Sequence, residues 1–191
     1  LRTHVCCTIN RLNASELASF AEAVCQLGVR RINFSRFVPT GRGAHSLDLT
    51  NQEWHQVISR CVEIRDRYRG TMEVVTHLAQ QVLVDPDVRI MQAFSGCQAG
   101  RAQGCLSANG NVMPCVLLPV VIGNVRFASF EEIWRSSAVI RTLQKQDQVK
   151  GRCAVCPHAP RCGGCRAVAF ARTGDYLASD PTCAYRPGTS A

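Results

Sequence analysis

The 191-residue chain has no apolar run long enough to span a bilayer, so it does not read as a helical membrane protein. Its first residues, LRTHVCCTIN, lack the long apolar stretch and small-residue cleavage site of a secretory signal. Aromatics are scarce, at 6%. The basic residues behind the formal net charge of +8 are scattered and have no aromatics interleaved, so a nucleic-acid partner is not expected. There is no internal repeat, no low-complexity tract and no H-E-x-x-H pair among the five histidines, His4, His45, His55, His77 and His158. The chain opens on Leu1 and enters strand-like sequence at once, the pattern expected of the C-terminal part of something longer. No membrane association and a cytoplasmic location are expected.

Cysteine is the abundant residue, with twelve copies. An apolar content of 46% is enough for a real core, so disulfide staples are not needed. The cysteines divide into two groups. Cys6, Cys7, Cys25 and Cys61 lie in or beside apolar strand and helix patterns and read as small core hydrophobes. The other eight follow residue 96: Cys97, Cys105, Cys115, Cys153, Cys156, Cys162, Cys165 and Cys183. Eight makes two sets of four, the number a thiolate-bound metal site needs. GRCAVCPHAPRCGGC (151–165) contains C-x2-C-x5-C-x2-C, a specific metal-binding spacing. Gly163 and Gly164 let backbone N–H groups bend around sulfur, and Pro157 and Pro160 are expected to prevent a helix. Zinc and iron–sulfur centres both accept four thiolates, and spacing alone does not separate them.

Elsewhere the pattern predicts parallel βα units followed by a small cysteine-rich region, with a division near residue 95. VCCTI (5–9), INFSRFV (32–38) and MEVVT (72–76) read as strands, the first of them buried. Asn13 with Glu16 reads as a capping pair for a helix ending at Gly28. Thr50 with Glu53 caps a helix with the stripe Trp54, Val57, Ile58, Cys61 and Ile64. Asn109-Gly110 signals a two-residue hairpin. Ser129 and Glu132 cap one helix over FEEIWRSSAVIRTLQ, with Trp134 in its core face, and CRAVAFART is a short helix closed by Gly174.

From Cys97 onward the chain resembles a SPASM domain, the C-terminal extension of many radical S-adenosylmethionine enzymes. The resemblance rests on Cys97, then Gly110 and Cys115, then Cys153, Cys156, Cys162, Cys165 and Cys183. CQAGR, GNVMPC, GNVRFASFEEIW, RCGGCRA and TGDYLASDPTC flank them. It implies two auxiliary 4Fe–4S clusters: Cys97, Cys105, Cys115 and Cys165 on the first, and Cys153, Cys156, Cys162 and Cys183 on the second. A core of about +2 with four thiolates gives roughly −2 per site, so two sites bring the net charge to about +4. Residues 1–94 resemble the last strand–helix units of the radical enzyme's partial (β/α) barrel, and residues 95–191 the SPASM domain. By that resemblance Thr8, Asn10, Phe37 and Val38 lie near S-adenosylmethionine.

The motif that holds the cofactor-cleaving cluster in this family, C-x3-C-x2-C, does not occur in the chain. S-adenosylmethionine and a third cluster are therefore expected only in a longer protein, and this chain alone is not expected to generate the radical. The sulfatase-maturating relatives carry Asp after the third cysteine, whereas Val116 stands here, which disfavours that reaction. CQAGR and TGDYLASDP are similar to relatives that modify peptides or decarboxylate a tetrapyrrole. The implied partners are a peptide or tetrapyrrole substrate and an electron donor such as ferredoxin or flavodoxin. His158 is a further conceivable metal ligand. Arg101, Arg152, Arg161 and Arg166 flank the proposed ligands and either offset thiolate charge or face an acidic substrate. Asp175 and Asp180 are either proton carriers or turn formers. The open alternative is a zinc-binding interaction module with no redox role.

Overall fold

The computed structural model describes residues 3–43, 45–76, 78–90 and 96–185. Its first half is a parallel three-stranded sheet, β1 (His4–Ile9), β2 (Arg31–Arg36) and β3 (Glu73–Val75), in the order β1-β2-β3. Helix α1 (Leu17–Gln26) links β1 to β2, and α2 (Asn51–Arg67) links β2 to β3. Alternation along β2 turns Ile32 and Phe34 into the core. The whole expected stripe of α2 is buried against the sheet. Complete burial of a side chain such as Phe34 or Ile58 contributes about 1.5–3 kcal/mol. The Thr50–Glu53 capping box forms, with Glu53 N–H donating to Thr50 Oγ1 at 3.2 Å and Thr50 N–H to Glu53 at 2.7 Å.

Several local expectations are corrected. Asn13 does not cap α1, because its side chain accepts from Asn10 N–H at 2.9 Å and is spent on the preceding turn. Strand β2 ends at Arg36 rather than residue 38. Cys7 is buried, but Cys6 is exposed, because successive side chains of a strand point to opposite faces.

After β3 the chain makes a short turn over Gln81–Leu83 and then α3 (Pro86–Ile90). The expected division at residue 95 falls outside the described residues, as does His77. The second half contains an antiparallel sheet of β4 (Cys105–Leu106), β5 (Asn111–Met113) and β6 (Gly123–Asn124). The β4–β5 hairpin closes with three loop residues rather than two. Ser107 N–H donates to Asn111 O at 2.9 Å, and Gly110 takes φ +89° at the bulge. The single helix expected after Ser129 is two, α4 (Phe130–Ser136) and α5 (Ala138–Lys145). Ser137 breaks it, its extended backbone and hydroxyl capping Ile140 N–H at 3.3 Å. Trp134 is half-buried and stacks on Phe130, ring centroids 5.3 Å apart, rather than entering the core. The cysteine loop does hold one helical turn, α6 (Ala159–Cys162). Pro160 lies in its first turn, where its missing N–H costs nothing. Helix α7 (Arg166–Thr173) ends at Gly174, φ +76°. Among the described residues no helix is long and apolar enough to cross a membrane.

The two halves are joined by buried polar contacts. Arg36, at the end of β2, lies over the Trp54 ring at 4.3 Å and donates to Thr182 Oγ1 at 2.8 Å. Asp48 pairs with both Arg36 and Arg172. The turn at 81–83 is held by Asp85, which accepts from Gln81 Nε2 at 2.8 Å and pairs with Arg65. Burial opposes the Asp85 charge, but Arg65 and Gln81 together hold its carboxyl below the ordinary value. Asp85→Asn should therefore cost about 3 kcal/mol in denaturant melts at neutral pH. Because the folded pKa is depressed, that deficit should be complete above about pH 4. It should shrink as pH falls through the native Asp85 value.

Candidate metal centres

None of the twelve cysteines forms a disulfide, and the late eight fall into two groups. Cys153, Cys156, Cys162 and Cys183 line one cavity, with Gly164 and Asp180 in its wall. Cys153 closes a 3-10 turn, Cys162 ends α6, and Cys183 follows the Asp180 turn. Cys162 is the most enclosed thiol of the four. It accepts from Gln80 N–H at 3.2 Å and Gly164 N–H at 3.4 Å. Burial pushes it up to about 12 against those two N–H groups, and Cys183 and Asp180 push it further. Burial also raises Cys183, with Asp180 and Cys153 acting in the same direction.

The other group forms around Cys115, which follows β5 and accepts from Leu117 N–H at 3.4 Å. Burial raises its thiol, and the nearby Cys97 and Cys105 raise it further. Cys165, at the N-terminus of α7, is raised by burial and then by Cys97 and Asp180, while Arg36 opposes. Cys97, Cys105, Cys115 and Cys165 are thus linked as electrostatic neighbours. The groups interlock. Cys97 N–H donates to Cys162 O at 3.1 Å, and only Gly163 and Gly164 separate Cys162 from Cys165. Gly96 makes this approach possible, since a Cβ there would collide with the carbonyl oxygens of Cys162 and Arg161.

Among the described residues no three His, Cys, Asp or Glu side chains converge closely enough to hold one metal ion. The thiols of the second group ring a cavity instead of meeting at a point. Soft sulfur donors, N–H groups aimed at sulfur and nearby arginines fit an iron–sulfur cluster. His158 lines the same cavity but stacks edge-on against Tyr185.

Asp180 is wholly buried and functions as a turn former. It accepts from Thr182 N–H at 3.0 Å and Thr182 Oγ1 at 2.6 Å through one oxygen. Through the other it accepts from Gln80 Nε2 at 2.9 Å and Cys165 N–H at 2.8 Å. Asp175 pairs with Lys150 and caps Leu177 N–H. Arg152 donates to Cys183 O and Tyr185 O, and Arg161 to Val88 O. Gln80 is a site residue that sequence reasoning misses. It holds left-handed backbone, φ 74°, rare for a non-glycine residue, and is buried beside both groups. Nothing in LAQQV marks it.

Thr8, Asn10 and Phe37 lie at the C-terminal ends of β1 and β2, the ends where ligands bind in parallel sheets. Thr8 is exposed and 3.3 Å from Ser35 Oγ, and Asn10 folds back on Leu12 N–H at 2.9 Å. Phe37 N–H donates to Ile9 O at 2.9 Å. Val38 packs instead into the second core with Cys115, Leu118 and Val168.

Residues 97–157 match the SPASM family, described as an iron–sulfur cluster-binding domain. The chain is similar to the AdoMet-dependent heme synthase of Methanosarcina barkeri, 31% identical over 95% of this chain and 55% of that protein. It is also similar to the PqqA peptide cyclase of Methylocella silvestris, 30% identical over 94% of this chain and 48% of that protein. Its fold matches that of Streptococcus suis SuiB bound to S-adenosylmethionine, TM-score 0.66 at 10% identity, over 95% of this chain and 45% of that one. The chain thus carries a SPASM-family region and resembles the C-terminal portion of the radical S-adenosylmethionine enzymes that have such a domain. It spans about half the length of the curated relatives it matches.

Gly96→Ala should force Cys97 away from Cys162. A loss of about 2–3 kcal/mol is expected in urea melts. Faster reaction of both thiols with a disulfide reagent should accompany it.

Proposed function

We propose that this chain is the C-terminal portion of a radical maturase and binds two auxiliary 4Fe–4S clusters. Cys97, Cys105, Cys115 and Cys165 hold the first, and Cys153, Cys156, Cys162 and Cys183 the second. The boundary between barrel and SPASM domain lies near residue 95. The observation that carries this reading is the gathering of eight thiols into two interlocked groups, five of them within residues 97–157 that match an iron–sulfur cluster-binding domain. Bound clusters supply one-electron chemistry. The protein's own part is to exclude water by burying Cys162 and Cys115, to aim N–H groups at sulfur, and to surround the thiolates with arginines. The clusters pass electrons or position a peptide or tetrapyrrole substrate beside the radical. The substrate classes come from the names of the two relatives, and an electron donor of the ferredoxin or flavodoxin kind serves the clusters. Thr8, Asn10 and Phe37 face the S-adenosylmethionine side, while Val38, the fourth candidate, is turned into the second core. Cleavage of that cofactor, and the third cluster it requires, belong to a C-x3-C-x2-C segment outside this chain. A cytoplasmic setting keeps the thiols reduced.

Anaerobic reconstitution should give a brown protein with about eight iron and eight sulfide per chain, four of each per site. Cys162→Ser and Cys115→Ser should each remove about half of that iron. Cys61→Ala should leave it unchanged, since Cys61 is buried in the first core. A colourless protein with two zinc ions and no sulfide would overturn the proposal in favour of the interaction module.

A further inference from the structure

Arg166 is 4% exposed and begins α7 immediately after Cys165. Its Nη1 donates to Tyr176 O at 2.9 Å and Ala178 O at 2.8 Å, and its Nε contacts Gly164 O at 3.4 Å. These contacts fix the plane of the guanidinium. Its Nη2 is buried and has no hydrogen-bond partner among the described residues. A buried, unpaired donor on a charged group is costly, so its position calls for an acceptor. The nearby carboxylate does not provide one. Both Asp180 oxygens are already taken, by Thr182 on one side and by Gln80 and Cys165 N–H on the other.

The position of Nη2 identifies the candidate acceptor. A Cβ built on Gly164 would lie 2.5 Å from Arg166 Nη2 and 3.6 Å from Cys153 Sγ. Both atoms therefore border the open face of Gly164, where the backbone carries no methyl. Arg166 also lines a small cavity with Cys97. The cation therefore borders both groups of thiols, and its unpaired donor lies against the Gly164 face that Cys153 also borders.

We propose that Arg166 is a potential-setting residue, with Nη2 donating toward the Cys153 thiolate and its charge stabilising the reduced form of the neighbouring cluster. This rests on the two-cluster reading above. A buried positive charge favours the state that has gained an electron, and low dielectric strengthens the effect. Offsetting thiolate charge in general would require only a basic residue nearby. Here the donor is fixed at one place by two carbonyls and left unpaired towards sulfur.

The test is a dithionite titration followed by electron paramagnetic resonance on the anaerobically reconstituted protein and its R166Q and R166K variants, with iron and sulfide measured on each. R166Q should lower the one-electron reduction equilibrium constant of the second cluster about tenfold, a shift of about 59 mV to more negative potential. R166K, which keeps the charge, should shift it less. R166Q with full iron and an unchanged potential overturns the proposal. If R166Q fails to take up iron, the wild-type protein labelled with 15N-arginine decides by pulsed spectroscopy of the reduced state. An arginine nitrogen coupled to the second cluster and lost in R166K supports the proposal, and no arginine coupling overturns it. A wild-type chain that takes up no iron or sulfide overturns the two-cluster reading itself, and this proposal with it.

Discussion

The structure depends on burying sulfur without giving it a regular element to stand on. Helices and strands satisfy their own N–H groups, whereas a thiolate needs N–H groups left free to point at it. The chain meets this at Cys162 with two donors from distant places, Gln80 and Gly164. The arrangement needs left-handed backbone at Gln80, Gly96, Gly163 and Gly164. Of these, Gln80 alone is not glycine, and its side-chain bonds to Asp180 and Thr182 hold it in that conformation.

From this constraint follows the way the two halves are tied. Gln80 belongs to the segment after the parallel sheet, yet its backbone serves a cysteine in the loop at 151–165. Asp180 collects Gln80, Thr182 and Cys165, and Thr182 passes the connection to Arg36 at the end of β2. Asp48 then ties Arg36 to Arg172 on α7. A displacement of the last sheet strands would therefore be felt at both thiol groups through directional contacts. This gives the strand ends that face S-adenosylmethionine in the proposal a rigid path to the cluster side.

Much of this was legible in the sequence where local chemistry decides the outcome. The Thr50–Glu53 box, the α2 stripe and the Gly174 stop depend on residues within one or two turns, and each forms as written. Four of the eight late cysteines, Cys153, Cys156, Cys162 and Cys165, stand out by their C-x2-C spacing, whereas Cys97, Cys105, Cys115 and Cys183 stand out only through the family resemblance. What escaped depends on distant partners. Asn13 reads as a cap, but Asn10 claims it first. Nothing in FEEIWRSSAVIRTLQ reveals that Ser137 will end one helix and begin the next. Gln80 and Arg36 carry no local signal, since each is defined by residues about 80 to 150 positions away along the chain.

The buried thiols also explain why so much positive charge surrounds them. Burial and the Asp180 carboxylate both raise the cysteines, favouring the neutral thiol in the absence of a compensating cation. A bound metal core would supply that compensation and turn the same burial into an advantage, because low dielectric strengthens bonds to thiolate. Arg36 beside Cys165, Arg152 on the Cys183 carbonyl and Arg166 bordering both groups spread further positive charge through the wall. The +8 formal charge of the chain is thus partly a property of its interior. The buried Asp180, unfavourable as a neighbour of thiolates, is retained because its two oxygens fix the turns that deliver Cys165 and Cys183.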